Sequence, residues 1–190
     1  MFPLQTPHPP LLIIIGGFAG TGKSTVSRRL SAELRIPRLG SDTLGRTIKD
    51  SAGIRSGNVN ATWIAYDVLF RLCEEFLQTD VSVILDLTMG WPFQWQHVDR
   101  ILQRQLHTHF LPILLRCPLD VCLERTGQRH AAHPDRYDPP EVYATDPKNR
   151  ELWHFLATLE RPEVHWVDAD RPQDTVYQEV SRYLALQPIR

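Results

Sequence analysis

The 190-residue chain lacks the features that mark several large classes of protein. Its three cysteines, Cys73, Cys117 and Cys122, are an odd number without a C-x-x-C pair, so no disulfide framework is expected. No apolar run approaches the roughly 20 residues that a membrane-spanning helix needs. Lys and Arg number 21 against 22 Asp and Glu, and a formal net charge of −1 removes the argument for a globally basic nucleic-acid binder. These absences favour a cytoplasmic protein with reduced thiols and no membrane partner.

The first ten residues are rich in proline and contain no Lys or Arg. Only five apolar residues follow them before a glycine, whereas a signal peptide has a basic start and a longer apolar segment. We therefore predict a flexible tail over residues 1–10 and no targeting signal. The length of the chain, with 42% hydrophobic and 23% charged residues, predicts a single α/β domain over residues 1–190.

One stretch carries a specific chemical signal. Residues 17–25 read Gly-Phe-Ala-Gly-Thr-Gly-Lys-Ser-Thr, which fits the P-loop pattern of Gly, four residues, Gly-Lys-Ser. The apolar run 11–15 before it predicts a buried strand. After it, Val26, Leu30 and Leu34 recur at helical spacing. A strand, a glycine loop and a helix in this order are the context in which a P-loop forms.

The residue types of this stretch suit phosphate binding. Glycines allow the backbone to approach a ligand closely, and successive N–H groups together with the positive end of the next helix attract phosphate oxygens. Lys23 is expected to reach the β- and γ-phosphates and the Ser24 hydroxyl to ligate Mg²⁺. The predicted nucleotide-binding residues of the loop are Gly17, Phe18, Ala19, Gly20, Thr21, Gly22, Lys23, Ser24 and Thr25.

Strands and helices alternate along the rest of the chain, which predicts a mainly parallel sheet with right-handed crossovers. Helix 62–77 is expected to bury a stripe formed by Ile64, Val68, Leu72 and Phe76. A mobile loop is predicted over residues 51–60, rich in Gly, Ser and Asn. The predicted strands are 11–15, 35–40, 81–86, 109–115 and 164–168. The predicted helices are 24–34, 43–50, 62–77, 92–107, 119–128, 147–159 and 174–186.

Two acids follow predicted strands, at the edge of the sheet where α/β proteins bind ligands. Asp42 follows the second strand, and it is either a helix N-cap or a residue that binds the acceptor and assists catalysis. Asp86 ends the third strand, as in the second nucleotide-binding motif, and is either a turn residue or part of the Mg²⁺ shell. Arg46, near Asp42, is a further candidate for acceptor contact.

A third group of candidates is cationic. Arg125 and Arg129 are four residues apart on one predicted helix, so they share a face. One could stack on adenine and the other neutralise phosphate, or both could simply face solvent. Arg136 lies deeper in a polar segment, residues 128–146, whose prolines and lack of apolar spacing predict a lid.

These features together resemble the small P-loop kinases, such as gluconate kinase, adenylylsulfate kinase, chloramphenicol phosphotransferase, zeta toxin and the kinase domain of phage polynucleotide kinase. The resemblance rests on the loop, Asp42, Asp86 and the pair Arg125 and Arg129. It implies a five-stranded sheet in the order 2-3-1-4-5, with helices on both faces and a lid. It also implies ATP with Mg²⁺ and transfer of the γ-phosphate to a hydroxyl of a small molecule, with Asp42 accepting the proton of that hydroxyl.

Alternatives remain open at this point. A polynucleotide 5′-hydroxyl kinase or a toxin-type kinase shares these features, but the run from Ser41 to Arg46 differs by one residue in spacing from the Asp-Asp-x-x-Arg type run of polynucleotide kinases. A regulatory ATPase or nucleotide switch is the other alternative, and a lid with paired arginines favours a kinase over it. The sequence contains no signature that names the acceptor.

Overall fold

The computed structural model describes residues 9–51 and 61–187. Within them the strands are β1 (Leu11–Gly17), β2 (Arg38–Gly40), β3 (Val83–Asp86), β4 (His109–Arg116) and β5 (His165–Asp168). The helices are α1 (Lys23–Leu34), α2 (Ser41–Asp50), α3 (Ala61–Gln78), α4 (Pro92–Arg104), α5 (Leu119–Ala132), α6 (Pro140–Thr145), α7 (Pro147–Thr158) and α8 (Gln173–Ala185). The tail predicted over 1–10 and the loop predicted over 51–60 lie outside the described residues, except at positions 9, 10 and 51.

The five strands form one parallel sheet in the order β2-β3-β1-β4-β5, which confirms the predicted fold. β1 is central, and its register places Ile15 beside Asp86 of β3. On the other side of β3, Gly40 of β2 also pairs with Asp86. The end of β1 and the end of β2 therefore flank the end of β3, and the residues that follow these strands meet at one edge of the sheet.

Alternate residues of β1 enter two separate cores, as the two-residue period of a strand requires. Leu12 and Ile14 pack on the face covered by α3, α4 and α7, with Leu69, Val98 and Leu156. On the other face, covered by α1 and α8, the core contains Leu11, Ile13, Ile15, Val26, Leu30 and Val180. Every residue of β1 is buried because helices cover both faces, which explains its unbroken apolar run.

The buried stripe predicted for α3 is wrong in part. Val68 and Leu72 are 38% and 37% exposed, whereas Leu69 is fully buried. The residues of α3 that reach the core are Ala61, Ala65, Tyr66, Leu69, Phe70, Cys73 and Leu77. The helix carries apolar residues around much of its circumference, and the wider stripe, with its i, i+3 and i+4 spacing, faces the sheet.

The segment predicted as a lid contains regular structure. α5 continues to Ala132, four residues beyond its predicted end, and Pro140 begins the short helix α6 at a position where proline is favoured. No residue of α6 is fully buried, and Tyr143 packs half-buried against the core beside Phe18. Whether residues 128–146 move as a lid stays a prediction.

Two further expectations concern cysteine and the membrane. Cys73, Cys117 and Cys122 are all free thiols. Burial raises the pKa of Cys73 and of Cys122 to about 12, so both are held as inert thiols. None of the described helices combines the length and apolar character that crossing a bilayer requires.

The observed orientation of α3 predicts that truncating two of its leucines, three residues apart, has very different effects on the free energy of unfolding. Leu69→Ala should lower the free energy of unfolding by about 2–5 kcal/mol because it opens a cavity in a packed core. Leu72→Ala, the matched control on the same helix, should cost less than about 1 kcal/mol because the side chain is partly in solvent. Urea unfolding followed by circular dichroism measures both, and equal losses would contradict the orientation of α3.

Candidate active site

The glycine loop between β1 and α1 is held in place by its own hydrogen bonds. The Gly17 amide donates to the Thr88 carbonyl at 3.0 Å, and the Thr21 hydroxyl donates to the Phe18 carbonyl at 2.8 Å. Gly22 is the N-cap of α1 and offers no side-chain cap. Among the described residues the amides of Lys23 and Ser24 have no acceptor, so this helix terminus presents free N–H donors and a positive dipole end.

A cavity of about 110 Å³ lies against the loop and is strongly cationic. One carboxylate, that of Asp42, lines it. The cations that line it are Lys23, Arg28, Arg38, Arg46 and Arg129. Of these five cations only Arg38 pairs with a carboxylate in the described part of the chain. The cavity thus has the charge and the donors to hold a polyanion.

A larger polar cleft of about 1060 Å³ continues from this cavity. Arg28, Asp42, Arg46 and Arg129 belong to the walls of both. Beyond them the cleft is lined by α2, by the start of α3 and by the segment around residues 134–143. Of the predicted candidates, Arg136 lines this cleft but not the small cavity.

Asp42 is not a helix N-cap, so that alternative is wrong. The N-cap of α2 is Gly40, and Asp42 is the second residue of the helix. Its side chain is exposed and makes no hydrogen bond within the described residues. A carboxylate left without a protein partner at the junction of two cavities is available to a ligand.

Two tyrosines beside Asp42 were not singled out from the sequence. Burial, and then the charge of Asp42, raise the pKa of Tyr66. Burial also raises the pKa of Tyr143, against the lowering effect of Arg129. Both phenols line the large cleft and remain protonated hydrogen-bond donors at neutral pH. In the sequence Tyr66 lies on the predicted helix 62–77, where an aromatic residue is more typical of the core, and Tyr143 lies in the predicted lid without a motif around it.

Asp86 is 2% exposed, and its two oxygens differ. The Ser27 hydroxyl donates to Oδ2 at 2.8 Å, and the Arg38 guanidinium donates to the same oxygen from Nε, at 3.1 Å, and from Nη2. Oδ1 is buried without any hydrogen-bond partner in the described structure. Arg38 was missed in the sequence because its partner lies 48 residues away and no local pattern links the two.

Arg125 and Arg129 share a helix face but line different cavities. Arg125 Nη1 donates to the Ala169 carbonyl at 2.9 Å. It lines a hollow of about 210 Å³, between the loop and the segment from Arg171 to Gln173. The Arg129 guanidinium lies 4.4 Å from the ring centre of Tyr137 and reaches the cationic cavity. The structure therefore separates the two arginines into distinct surroundings.

A further cavity of about 430 Å³ lies between α7 and the ends of β4 and β5. Its walls are mainly apolar, with Trp153, Leu156 and Trp166 among them, and its one cation is Arg116. It lacks the charge that a phosphate site needs. No group of three or more His, Cys, Asp or Glu residues is placed to bind a metal within 9–51 and 61–187.

Comparisons with known sequences found a family and a related protein. A family model described as an AAA domain matches residues 12–151. A cytidylate kinase of Methanothermobacter thermautotrophicus is 32% identical over 127 residues, which cover 64% of this chain and 70% of that protein.

The fold is also found among solved structures. A protein from Chloroflexus aurantiacus, provisionally described as a kinase, superposes with a TM-score of 0.66 at 22% identity, covering 95% of this chain and 98% of its own. A gluconokinase from Sinorhizobium meliloti gives a TM-score of 0.53 at 19% identity, covering 95% and 99%. At these identities the two structures support the fold alone.

Two loop glycines should differ in their tolerance of alanine. Both have positive φ, 87° at Gly20 and 90° at Gly22, which costs any other residue about 1–2 kcal/mol. A Cβ at Gly20 would also collide with the Cys122 backbone, whereas a Cβ at Gly22 meets nothing within 4 Å. Gly20→Ala should therefore lower the free energy of unfolding more than Gly22→Ala, as measured by urea unfolding. The reverse order would contradict this loop conformation.

Proposed function

Because the chain belongs to the P-loop family that the AAA domain model describes, we propose that it is a small-molecule kinase that moves the γ-phosphate of ATP to an acceptor. The observation that carries the proposal is the cationic cavity, where the glycine loop and Lys23 meet Asp42 across about 110 Å³. A phosphate chain on one side and an acceptor on the other would meet there. Phosphoryl transfer depends on this kind of positioning and charge stabilisation more than on covalent chemistry.

ATP would bind along the loop. The free amides at the start of α1 and the buried Lys23 would hold the β- and γ-phosphates. The base would lie in the hollow beside Arg125, whose guanidinium is held by the Ala169 carbonyl and so is fixed for stacking. Arg129 would serve the phosphates, since it reaches the cationic cavity. Adenine itself is proposed from the resemblance to P-loop kinases.

The residues present fit Mg²⁺. Asp86 Oδ1 is a buried acceptor without a partner, and Ser27, which binds the other oxygen, lies one helical turn after Ser24. Mg²⁺ bound with a nucleotide uses one or two protein ligands, phosphate oxygens and water, so no larger carboxylate cluster is needed. We assign Ser24 and Asp86 to hold the ion or its water shell. When bound, the ion would neutralise charge on the β- and γ-phosphates.

Asp42 would orient the acceptor and take its proton. Its carboxylate lines both the cationic cavity and the large cleft and has no protein partner within the described residues. Tyr66 and Tyr143 would donate hydrogen bonds to an acceptor in the cleft, and Arg46 would add a charged contact. Residues 128–146, which carry Arg129 and Arg136, would close as a lid and exclude water.

A second candidate is a kinase whose acceptor is itself a phosphate, as in a nucleoside monophosphate. The cleft contains Arg46, Lys49 and Arg136 without a carboxylate partner in the described structure, and the related cytidylate kinase bears its name from such an acceptor. An acceptor phosphate is already anionic, so Asp42 would have no proton to remove. This difference separates the two candidates experimentally.

The proposed function is tested with an acceptor panel and two lysine variants. The wild-type protein should transfer the γ-phosphate of radiolabelled ATP to one compound among sugars, nucleosides, aminoglycosides, CMP and 5′-hydroxyl oligonucleotides. Lys23→Ala should reduce kcat by about 10²-fold or more, because the substitution removes the positive charge that would contact the phosphates. The exposed Lys148→Ala is the matched control and should behave as wild type. Labelled inorganic phosphate without any labelled acceptor would instead favour an ATPase.

The role of Asp42 is tested by Asp42→Asn. With a hydroxyl acceptor, kcat should fall by about 10²-fold or more while the Kd for ATP changes little, because only the proton acceptor is lost. Asp120→Asn is the matched control, since Asp120 is the exposed second residue of α5, as Asp42 is of α2. A near-normal kcat with a hydroxyl acceptor would remove Asp42 as the base. A near-normal kcat with CMP would favour the second candidate.

A further inference from the structure

We infer that Arg38 contacts the γ-phosphate during transfer, held in position by Asp86, Ser27 and the space beside Gly40. The inference rests on the proposed function, because it concerns the phosphate of a bound nucleotide. The sequence predicted cations on the glycine loop and on the lid. Arg38 is a further cation, and it lies on a strand of the sheet.

One edge of the Arg38 guanidinium is fixed by the protein. Nε donates to the Ser27 hydroxyl at 2.8 Å and to Asp86 Oδ2 at 3.1 Å, and Nη2 donates to the same carboxylate oxygen. Nη1 has no acceptor among the described residues. The side chain is 15% exposed, and Arg38 lines the cationic cavity together with Lys23 and Ser24. Its remaining donors are therefore those that an anion in the cavity can use.

Gly40 supplies the space for this arrangement. Its backbone is extended, with φ −115° and ψ 125°, so any residue could adopt that conformation. A Cβ at this position would lie 2.9 Å from Arg38 Nη2, 3.1 Å from Cζ and 3.2 Å from Nη1. Glycine is thus needed here for the guanidinium and not for the backbone.

A purely structural role accounts poorly for this site. A buried ion pair contributes little to stability, because the cost of desolvating the two charged groups offsets much of their mutual attraction. Arg38 also lies beside four other cations, Lys23, Arg28, Arg46 and Arg129, with Asp42 as the one carboxylate that lines the cavity. An anion that enters the cavity would relieve the remaining repulsion. Phosphoryl transfer needs such cations around the equatorial oxygens, and the planar fork of arginine suits them. Fixing one edge in advance lowers the entropy lost when the other edge binds.

The test compares a nucleotide with and without a γ-phosphate. Isothermal titration with Mg²⁺ measures Kd for ADP and for the non-hydrolysable ATP analogue AMP-PNP. Arg38→Lys keeps the charge opposite Asp86 but loses the fork, so Kd for AMP-PNP should rise about tenfold or more. Kd for ADP should stay within about twofold, because ADP lacks the group that Arg38 contacts. Arg100→Lys, an exposed residue of α4, is the matched control.

Gly40→Ala provides a second variant that leaves both charges in place. The clash is with the far end of a flexible side chain, so the protein should fold while the guanidinium is displaced. The same selective loss of AMP-PNP affinity is expected, and thermal unfolding checks that both variants are folded.

The outcomes separate this inference from the proposed function. If the wild-type protein binds neither nucleotide, the proposed function fails. If it binds both, and the two variants bind AMP-PNP as tightly as the wild type, Arg38 does not contact the γ-phosphate. An equal loss for ADP and AMP-PNP would also overturn the inference, since it would show a general effect on the loop.

Discussion

In a parallel sheet the carboxyl ends of neighbouring strands lie at one edge, and every part of the candidate site depends on that constraint. β1 ends in the glycine loop, β2 ends at Gly40 before Asp42, and β3 ends at Asp86. The register sets Asp86 between Ile15 and Gly40 on the flanking strands. Residues of the glycine loop, of the end of β2 and of α2 therefore line one small cavity. The two apolar cores behind them fix the strands in place.

The charge of the site is local and does not follow from the charge of the chain. The formal net charge is −1, yet five cations and one acid line the cavity beside the loop. Only Arg38 is compensated by a protein carboxylate within the described residues, and that carboxylate is buried. The site thus has an excess of positive charge, which the phosphates of a nucleoside triphosphate would balance.

The large polar cleft is built differently from the cationic cavity. It is wide and is lined mainly by polar residues of α2, of the start of α3 and of the segment around α6. Tyr66 and Tyr143 stay protonated there because burial disfavours their charged form. A cleft of this kind can hold an acceptor by hydrogen bonds and charge, and its shape would decide which acceptor enters.

The sequence determined the features that arise from neighbouring residues. The P-loop pattern has fixed spacing, and strand and helix periods are local, so residues 17–25, the alternation of elements and the strand order implied by the family resemblance were all predictable. The orientation of α3 was not, because its apolar residues surround much of the helix and only packing on the sheet selects Leu69 over Leu72. The position of Asp42 after the second strand was predicted. That Asp42 does not cap a helix depends on where α2 begins, and only the structure shows this. The pairing of Arg38 with Asp86 and the separation of Arg125 from Arg129 came only from the tertiary structure, since contacts between distant residues depend on how the strands and helices assemble.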